Sequence, residues 1–261
     1  MMVSEGRSRP GVLIVIAWCA VVLGCVSTAA DEDQQMAPGG QWAVHSHERP
    51  QPEKVDPGPG VDENGPVAPP SDAMVLFDGQ DLSAWTGAGA DKEPTWEIND
   101  GYMEIAADSG GIISKRSFGD SQIHLEFRTP PDDTDRGQGR GNSGVFLTGH
   151  CEIQVLDSYE NDTYPDGQCA AIYGRFPPMV NASREPGRWQ SYDIMFRSPR
   201  RENGEIVQPA AVTVLHNGML VHHAAPTGGT GEKFRLRLQD HNNRVRYRNI
   251  WVRPVEGYDK K

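Results

Sequence analysis

The chain has 261 residues, 37% of them hydrophobic, and a formal net charge of −11. That length makes one large domain or two small ones. The acidic balance argues against a basic phosphate-binding face, and so against a nucleic-acid partner, but leaves neutral ligands such as sugars open.

In chain order, Arg7 and Arg9 precede an apolar run, GVLIVIAWCAVVLG, from Gly11 to Gly24. A run this short does not comfortably span ~30 Å of hydrocarbon as a helix. A basic flank, a short apolar stretch and small residues after it form the pattern of a secretory signal, expected over residues 1–25. Val22-Leu23-Gly24-Cys25 resembles a bacterial lipoprotein cleavage site, where Cys25 would carry the lipid; ordinary cleavage after Ala29 is the alternative. Either way an exported bacterial protein is expected, periplasmic or held to the membrane through its lipid alone. Cys151 and Cys169 then remain, and an oxidising compartment permits a disulfide between them.

Residues 26–73 hold eight prolines, several glycines and many charges, with no periodic apolar pattern. They are expected to be a tail or linker. QWAVHSHERPQP, residues 41–52, is the only part of it with Trp and His. That piece reads either as an extended arm packed on the domain or as part of a loose tether.

From Met74 to about residue 256 the pattern changes to short alternating segments separated by turn signals. MVLFDG, TWEIND, GYMEIA, GIISKR, QIHLEFR, SGVFLT, CEIQVLD, WQSYDIMFR, AVTVLHN, MLVHH, FRLRLQD and VRYRNIWVR all fit strands. Asn99-Asp100-Gly101 and His216-Asn217-Gly218 carry hairpin turn chemistry. No helical period is sustained. The expectation is an all-β, two-sheet antiparallel jelly-roll sandwich of the concanavalin A-like or laminarinase-like kind. Ile123, Leu125 and Phe127 share one face of their strand and His124, Glu126 and Arg128 the other. That polar face is either solvated or the lining of a cleft.

CEIQVLDSYEN, residues 151–161, places Glu152 and Gln154 on one strand face. Asp157 joins them only across a β-bulge; otherwise the strand ends at Leu156 and Asp157 opens a loop. The spacing resembles the catalytic strand of laminarinase-type glycosidases, Glu-x-Asp-x-x-Glu, with Gln154 where the helper carboxylate would stand. Retaining hydrolysis needs two carboxyls ~5–5.5 Å apart, and Gln154 weakens that reading. Asn142 and Ser143 stand at a strand entry. Gln239, Asp240, His241 and Arg248 crowd one later segment, where Asp240 beside His241 suits acid/base work, a metal site or simply a turn. Tyr164 and Tyr173 flank a loop placed to cover a cleft.

LFDGQDLSAW, NSGVFL, EIQVLDSYENDTYPDGQCAAIYG, PPMVNASREPGRWQSYDI, VTVLHNG and LQDHNNRVRYRNIWVRP together resemble the 3-keto-disaccharide hydrolase (3-keto-glucoside lyase/hydratase) domain family, once a domain of unknown function, over about residues 72–255. Asn242 and Arg244 depart from the Gly and Pro usual there, which bears on substrate choice. The resemblance implies a concanavalin A-like fold and action on glycosides oxidised at C3. A C3 ketone makes the C2 proton acidic, so elimination at C1 followed by rehydration hydrolyses the bond. In that scheme Glu152 is the base. Arg248, His241 or a divalent metal steadies the enolate, and Asp157 or His241 protonates the leaving oxygen. Asn142, Gln154, Gln239 and Asp240 hold the sugar. A non-catalytic carbohydrate-binding module and a conventional retaining glycosidase are the alternatives. Trp85, Trp96, Trp189 and Trp251 stand at core positions rather than on a binding platform, which disfavours the module.

Overall fold

A computed structural model describes residues 35–54, 65–88, 92–148 and 151–255. The expected signal segment and Cys25 lie outside the described residues. Among those residues no helix is long and apolar enough to cross a membrane. The strands in chain order are β1 (Glu53–Lys54), β2 (Met74–Phe77), β3 (Trp85–Gly87), β4 (Glu97–Asn99), β5 (Tyr102–Glu104), β6 (Ile112–Ser114), β7 (Ser121–Arg128), β8 (Ser143–Phe146) and β9 (Glu152–Val155). They continue as β10 (Val180–Asn181), β11 (Gln190–Arg197), β12 (Arg200–Glu202), β13 (Glu205–Gln208), β14 (Ala211–His216), β15 (Met219–Pro226), β16 (Arg237–Leu238) and β17 (Arg246–Pro254).

Two antiparallel sheets form a jelly-roll sandwich. The larger runs β15-β14-β11-β7-β17-β5-β4, with β2 also beside β17, and the smaller runs β3-β6-β16-β8-β9. Alternation explains the layering. Ile123, Leu125 and Phe127 of β7 are fully buried, as are Val145 of β8 and Ile153 and Val155 of β9. Burying such a side chain contributes about 2 kcal/mol. Tyr247 of β17 spans the layer, its hydroxyl donating to Ser143 Oγ of β8 at 2.7 Å.

Both expected hairpins form. Asp100 and Gly101 take φ 44° and 82°, and Asn217 and Gly218 take 52° and 81°. Two successive left-handed residues make the turn that matches strand twist. A third hairpin, β12–β13, turns on Asn203-Gly204. Its strands, RRE and EIVQ, are largely exposed and do not alternate, so no pattern marked them. Residues 35–54 lie along the sandwich as an arm. Glu53–Lys54 pairs in parallel with Val180–Asn181, Arg49 Nη1 donates to the Arg175 carbonyl at 3.2 Å, and Gln51 Nε2 donates to the Thr163 carbonyl at 3.1 Å.

Candidate active site

The register of the smaller sheet builds the site floor. Gly144 faces Gln154 and Phe146 faces Glu152 across β8–β9, while Arg237 of β16 faces Phe146. Since Val145 and Ile153 point into the core, these residues point out of the sandwich on its other side. On the far side of β9 the chain 170–173 continues the sheet. Tyr173 N–H donates to the Glu152 carbonyl at 3.1 Å, and Ile153 bridges Ile172. One row therefore reads Arg237, Phe146, Glu152, Tyr173, and the next reads Gln239, Gly144, Gln154. Gln239 N–H donates to the Gly144 carbonyl at 3.0 Å, which fixes the second row.

Glu152 lies over Gly144 so closely that a Cβ at that glycine would sit 2.1 Å from its Oε1. Its side chain is mostly buried, and burial pushes its carboxyl up to about 7 although the Arg237 charge pulls the other way. The Arg237 guanidinium rests 3.8 Å over the Phe146 ring and makes no hydrogen bond among the described residues. The Gln154 carboxamide reaches Gln138 at 3.0 Å; with its amide nitrogen turned the other way it donates to the Ser143 carbonyl at 3.0 Å and to Glu152 Oε1 at 3.2 Å. Gln138 is itself tied down, donating to Thr163 Oγ1 at 2.8 Å and the Gly167 carbonyl at 2.9 Å. The Tyr164 and Tyr173 hydroxyls meet at 2.6 Å beside this floor. Burial, the Tyr173 hydroxyl and the charges of Asp166 and Glu152 all raise the Tyr164 pKa.

Of the residues expected from sequence, Glu152, Gln154 and Gln239 share this face. Gln239 Oε1 is buried and has no hydrogen-bond partner among the described residues. The others stand elsewhere. No bulge interrupts the β8–β9 register, the strand ends at Val155, and Asp157 opens a loop. Asp157 is buried, 2.7 Å from Arg140 Nε, in a geometry out of line for a hydrogen bond. Burial raises its pKa, with Tyr159 N–H and Arg140 opposing. Asn142 is buried in the turn, its Nδ2 donating to the carbonyl of Gln138, the residue whose side chain meets Gln154, at 2.6 Å. Asp240 is spent on the backbone, accepting from Gly110 N–H at 2.8 Å and Asn242 N–H at 2.8 Å. His241 is exposed and does not pair with it. Because Tyr247 points inward, its neighbour Arg248 points out of the far sheet, where it pairs with Glu126 and lies 4.2 Å over Trp189.

Cys151 and Cys169 are both buried free thiols, not a disulfide. Cys151 precedes β9, while Cys169 sits opposite the other end of that strand, and its sulfur lies 3.0 Å from the Tyr192 hydroxyl. About four residues of strand, roughly 13 Å, separate them, too far for a bond that needs Cα atoms about 4.4–6.8 Å apart.

The outer face of the larger sheet is not solvated at its centre. Glu126 is 1% exposed, and His124 is held between Asp193 Oδ1 at 2.8 Å and Glu126 Oε1 at 3.7 Å. Trp189 and Trp251 cover this network and Asn249 ties it to the Val67 carbonyl at 3.1 Å. It is a buried network of paired charges under aromatic rings. Of the four tryptophans expected in the core, Trp85 and Trp96 lie in it, whereas Trp189 and Trp251, though buried, cover the outer face of the larger sheet.

Among the described residues no group of three or more His, Cys, Asp or Glu side chains is gathered for a metal. Around Glu152 the donors are amides and phenols, and they do not make a divalent-cation set. Sequence reasoning missed Arg237, Gln138 and Asp166 as site residues. The alternation of FRLRLQD already placed Arg237 and Gln239 on one face, which was the available signal.

A sequence model of the 3-keto-alpha-glucoside-1,2-lyase-like domain matches residues 72–253. A crystal structure from Parabacteroides distasonis, provisionally named a glycosyl hydrolase, is 36% identical with a TM-score of 0.69, covering 85% of this chain and 100% of its own. Two further provisionally named glycosyl hydrolases from that organism share the fold. One is 16% identical with TM-score 0.55, covering 71% of this chain and 94% of its own. The other is 20% identical with TM-score 0.51, covering 70% and 99%. No curated protein matches the chain.

Proposed function

Because the chain belongs to the 3-keto-alpha-glucoside-1,2-lyase-like family, we propose that it cleaves glycosides whose sugar carries a ketone at C3, using Glu152 to take the C2 proton. Membership makes the chain a carbohydrate-active, glycosyl-hydrolase-like protein; the keto substrate and the elimination route are this reading's own content. The observation that carries it is the state of Glu152: a mostly buried carboxyl raised to about 7, on a polar floor, beside an unbonded guanidinium. A carboxyl tuned there takes and returns protons near neutral pH. A retaining mechanism would instead want a second carboxyl within ~5.5 Å, and Asp157 is committed to Arg140 at 2.7 Å.

In the proposed sequence Glu152 removes the C2 proton, and the enolate forms with its charge on the C3 oxygen. Arg237 steadies that oxygen in this reading, taking the role that the family resemblance had offered to Arg248, His241 or a divalent metal. The enolate expels the C1 substituent with the bond's electron pair on its oxygen; water then adds its hydroxyl at C1, its remaining proton balances the one taken up by the leaving oxygen, and Glu152 returns its proton to C2. Gln154 and Gln239 orient hydroxyls, an assignment supported by the unsatisfied Gln239 Oε1. No glycosyl-enzyme intermediate forms, so an amide at position 154 suffices. The basic, apolar and small-residue pattern at the N-terminus supports export, with Cys25 lipidated, as part of this reading.

The test is turnover of a 3-keto-glucoside against the matching unoxidised glucoside, by wild type and Glu152→Gln. Cleavage of the keto sugar alone, lost in Glu152→Gln, is expected. Sugar binding without cleavage of either compound would replace this reading with a binding module.

A further inference from the structure

The arm that precedes the matched family region brings one more titratable group to this site. His45 takes φ 62°, in the left-handed region. A non-glycine residue there costs on the order of 1 kcal/mol and persists only where its surroundings hold it. Here the holder is Asp166, fully buried in the short turn Pro165–Gly167. His45 N–H donates to Asp166 Oδ2 at 3.1 Å, and its ring Nδ1 lies 3.4 Å from Oδ1. The ring packs 4.2 Å from Tyr164 and 5.2 Å from Tyr173, centroid to centroid. Tyr173 is the cross-strand neighbour of Glu152, so the chain of contacts runs Glu152, Tyr173, Tyr164, His45, Asp166.

A segment that only had to tie the arm down would need neither a left-handed backbone nor a buried carboxylate on its imidazole. Arg49, Gln51 and β1 already anchor it. With Nδ1 turned to Asp166, Nε2 is left without a hydrogen bond among the described residues, on a side chain that is 38% exposed. A carboxylate that fixes one ring nitrogen and frees the other is the arrangement a proton-transfer histidine requires.

We propose that His45, supplied by the arm, is the second proton-transfer group of the site and serves the leaving-group oxygen. This rests on the elimination reading above. As Glu152 takes the C2 proton, the C1–O bond breaks with its electron pair on oxygen, and the imidazolium Nε2 gives that oxygen its proton. In the return step the neutral imidazole takes a proton from water as the water oxygen bonds to C1, and Glu152 gives its proton back to C2. Both groups end as they began, and one water is consumed for each bond cleaved. The family region by itself would then lack its acid.

The experiment compares wild type, His45→Gln, Asp166→Asn and the exposed control His47→Gln, full-length, on an alkyl and a nitrophenyl 3-keto-glucoside. An alkoxide needs a proton to leave and a nitrophenolate does not. His45→Gln is expected to lower kcat on the alkyl substrate about 100-fold or more and on the nitrophenyl substrate less than about 5-fold, with His47→Gln unchanged. Asp166→Asn should follow His45→Gln, and thermal midpoints report whether either variant is folded. Equal losses on both substrates, or none, would overturn the role. If wild type cleaves neither substrate, the elimination reading fails instead. Methyl glucoside titration of the His45 ring resonance by NMR then tests whether the arm reaches the sugar site, and an unmoved resonance overturns this inference as well.

Discussion

The carboxylate of Glu152 occupies the space that a side chain at residue 144 would need: a Cβ on Gly144 would stand 2.1 Å from Oε1 and 3.0 Å from Phe146. A glycine in a strand interior usually weakens the strand. Here it lets a charged group lie flat on the sheet, turned along the floor. Gly144→Ala should therefore fold, since the obstructing atom is the end of a flexible side chain, but must swing the carboxylate away. Displacement on the order of 1 Å costs about 100-fold in rate. The expected outcome is a thermal midpoint within a few degrees of wild type and a kcat at least about 100-fold lower. Unchanged kcat would show that Glu152 does not act from this position.

Glu152 also ties activity to stability. Its folded pKa is raised from 4.5 to about 7 by burial. Between those values the folded state binds more protons than the unfolded state, so stability falls as pH rises. Above pH 7 the full penalty, ~3 kcal/mol, is present. Glu152→Gln removes it, so this variant should be more stable than wild type at pH 8, and the gain should vanish near pH 4. Denaturant unfolding at the two pH values measures the difference. In wild type, kcat/KM on a keto glycoside should rise through about pH 7, because the base must be ionised.

Much of the sandwich was readable because alternation and hairpin residues are local. The faces of β7 follow directly from the spacing of Ile123, Leu125 and Phe127 against Glu126, and the start of β17 from Tyr247 against Arg248, but a register shift between Arg248 and Trp251 turns Trp251 outward against the alternation. What alternation does not encode is which sheet a strand joins. Glu152 and Arg248 both point away from the core, but from opposite outer faces, so a site drawn from outward polar residues merged two clusters. Asp157 turned on where a strand stops, which rests on the Arg140 contact from another loop. The arm has no apolar period because its packing comes from long-range polar bonds such as His45 to Asp166. No local pattern announces such a contact.

Asp157 and Arg140 give a prediction that separates structure from chemistry. Asp157 is buried and its N–H donates to the Arg140 carbonyl at 3.1 Å, so the two residues clamp the loop entry through backbone as well as side chain. Asp157→Ala leaves Arg140 without its carboxylate and should cost about 2–4 kcal/mol. Because Asp157 is off the Glu152 face, kcat at a temperature where the variant is folded should stay within about 3-fold of wild type. A loss of 100-fold or more with stability intact would restore Asp157 to the role of acid.

The last prediction concerns the far sheet, where burial would lower the pKa of His124 but the carboxylates of Asp193 and Glu126 outweigh it and raise it from 6.5 to about 9. The imidazolium is thus part of the buried network, stacked 5.1 Å from Trp251. For a base whose folded pKa is raised, the added stability is fully present below the unfolded value near 6.5 and is lost as pH climbs through about 9. The rise corresponds to ~3 kcal/mol, or on the order of 10 °C in midpoint for a domain of this size. Wild type should therefore lose thermal stability between pH 6.5 and pH 9, while His124→Gln, already less stable at pH 6, should lose much less across the same window. This change runs alongside the Glu152 penalty, which is complete by about pH 7, so the interval from pH 7.5 to pH 9.5 isolates it. Parallel slopes for the two proteins over that interval would mean that the His124 charge is not held by Asp193 and Glu126, and that the network under Trp189 and Trp251 is stabilised by packing alone.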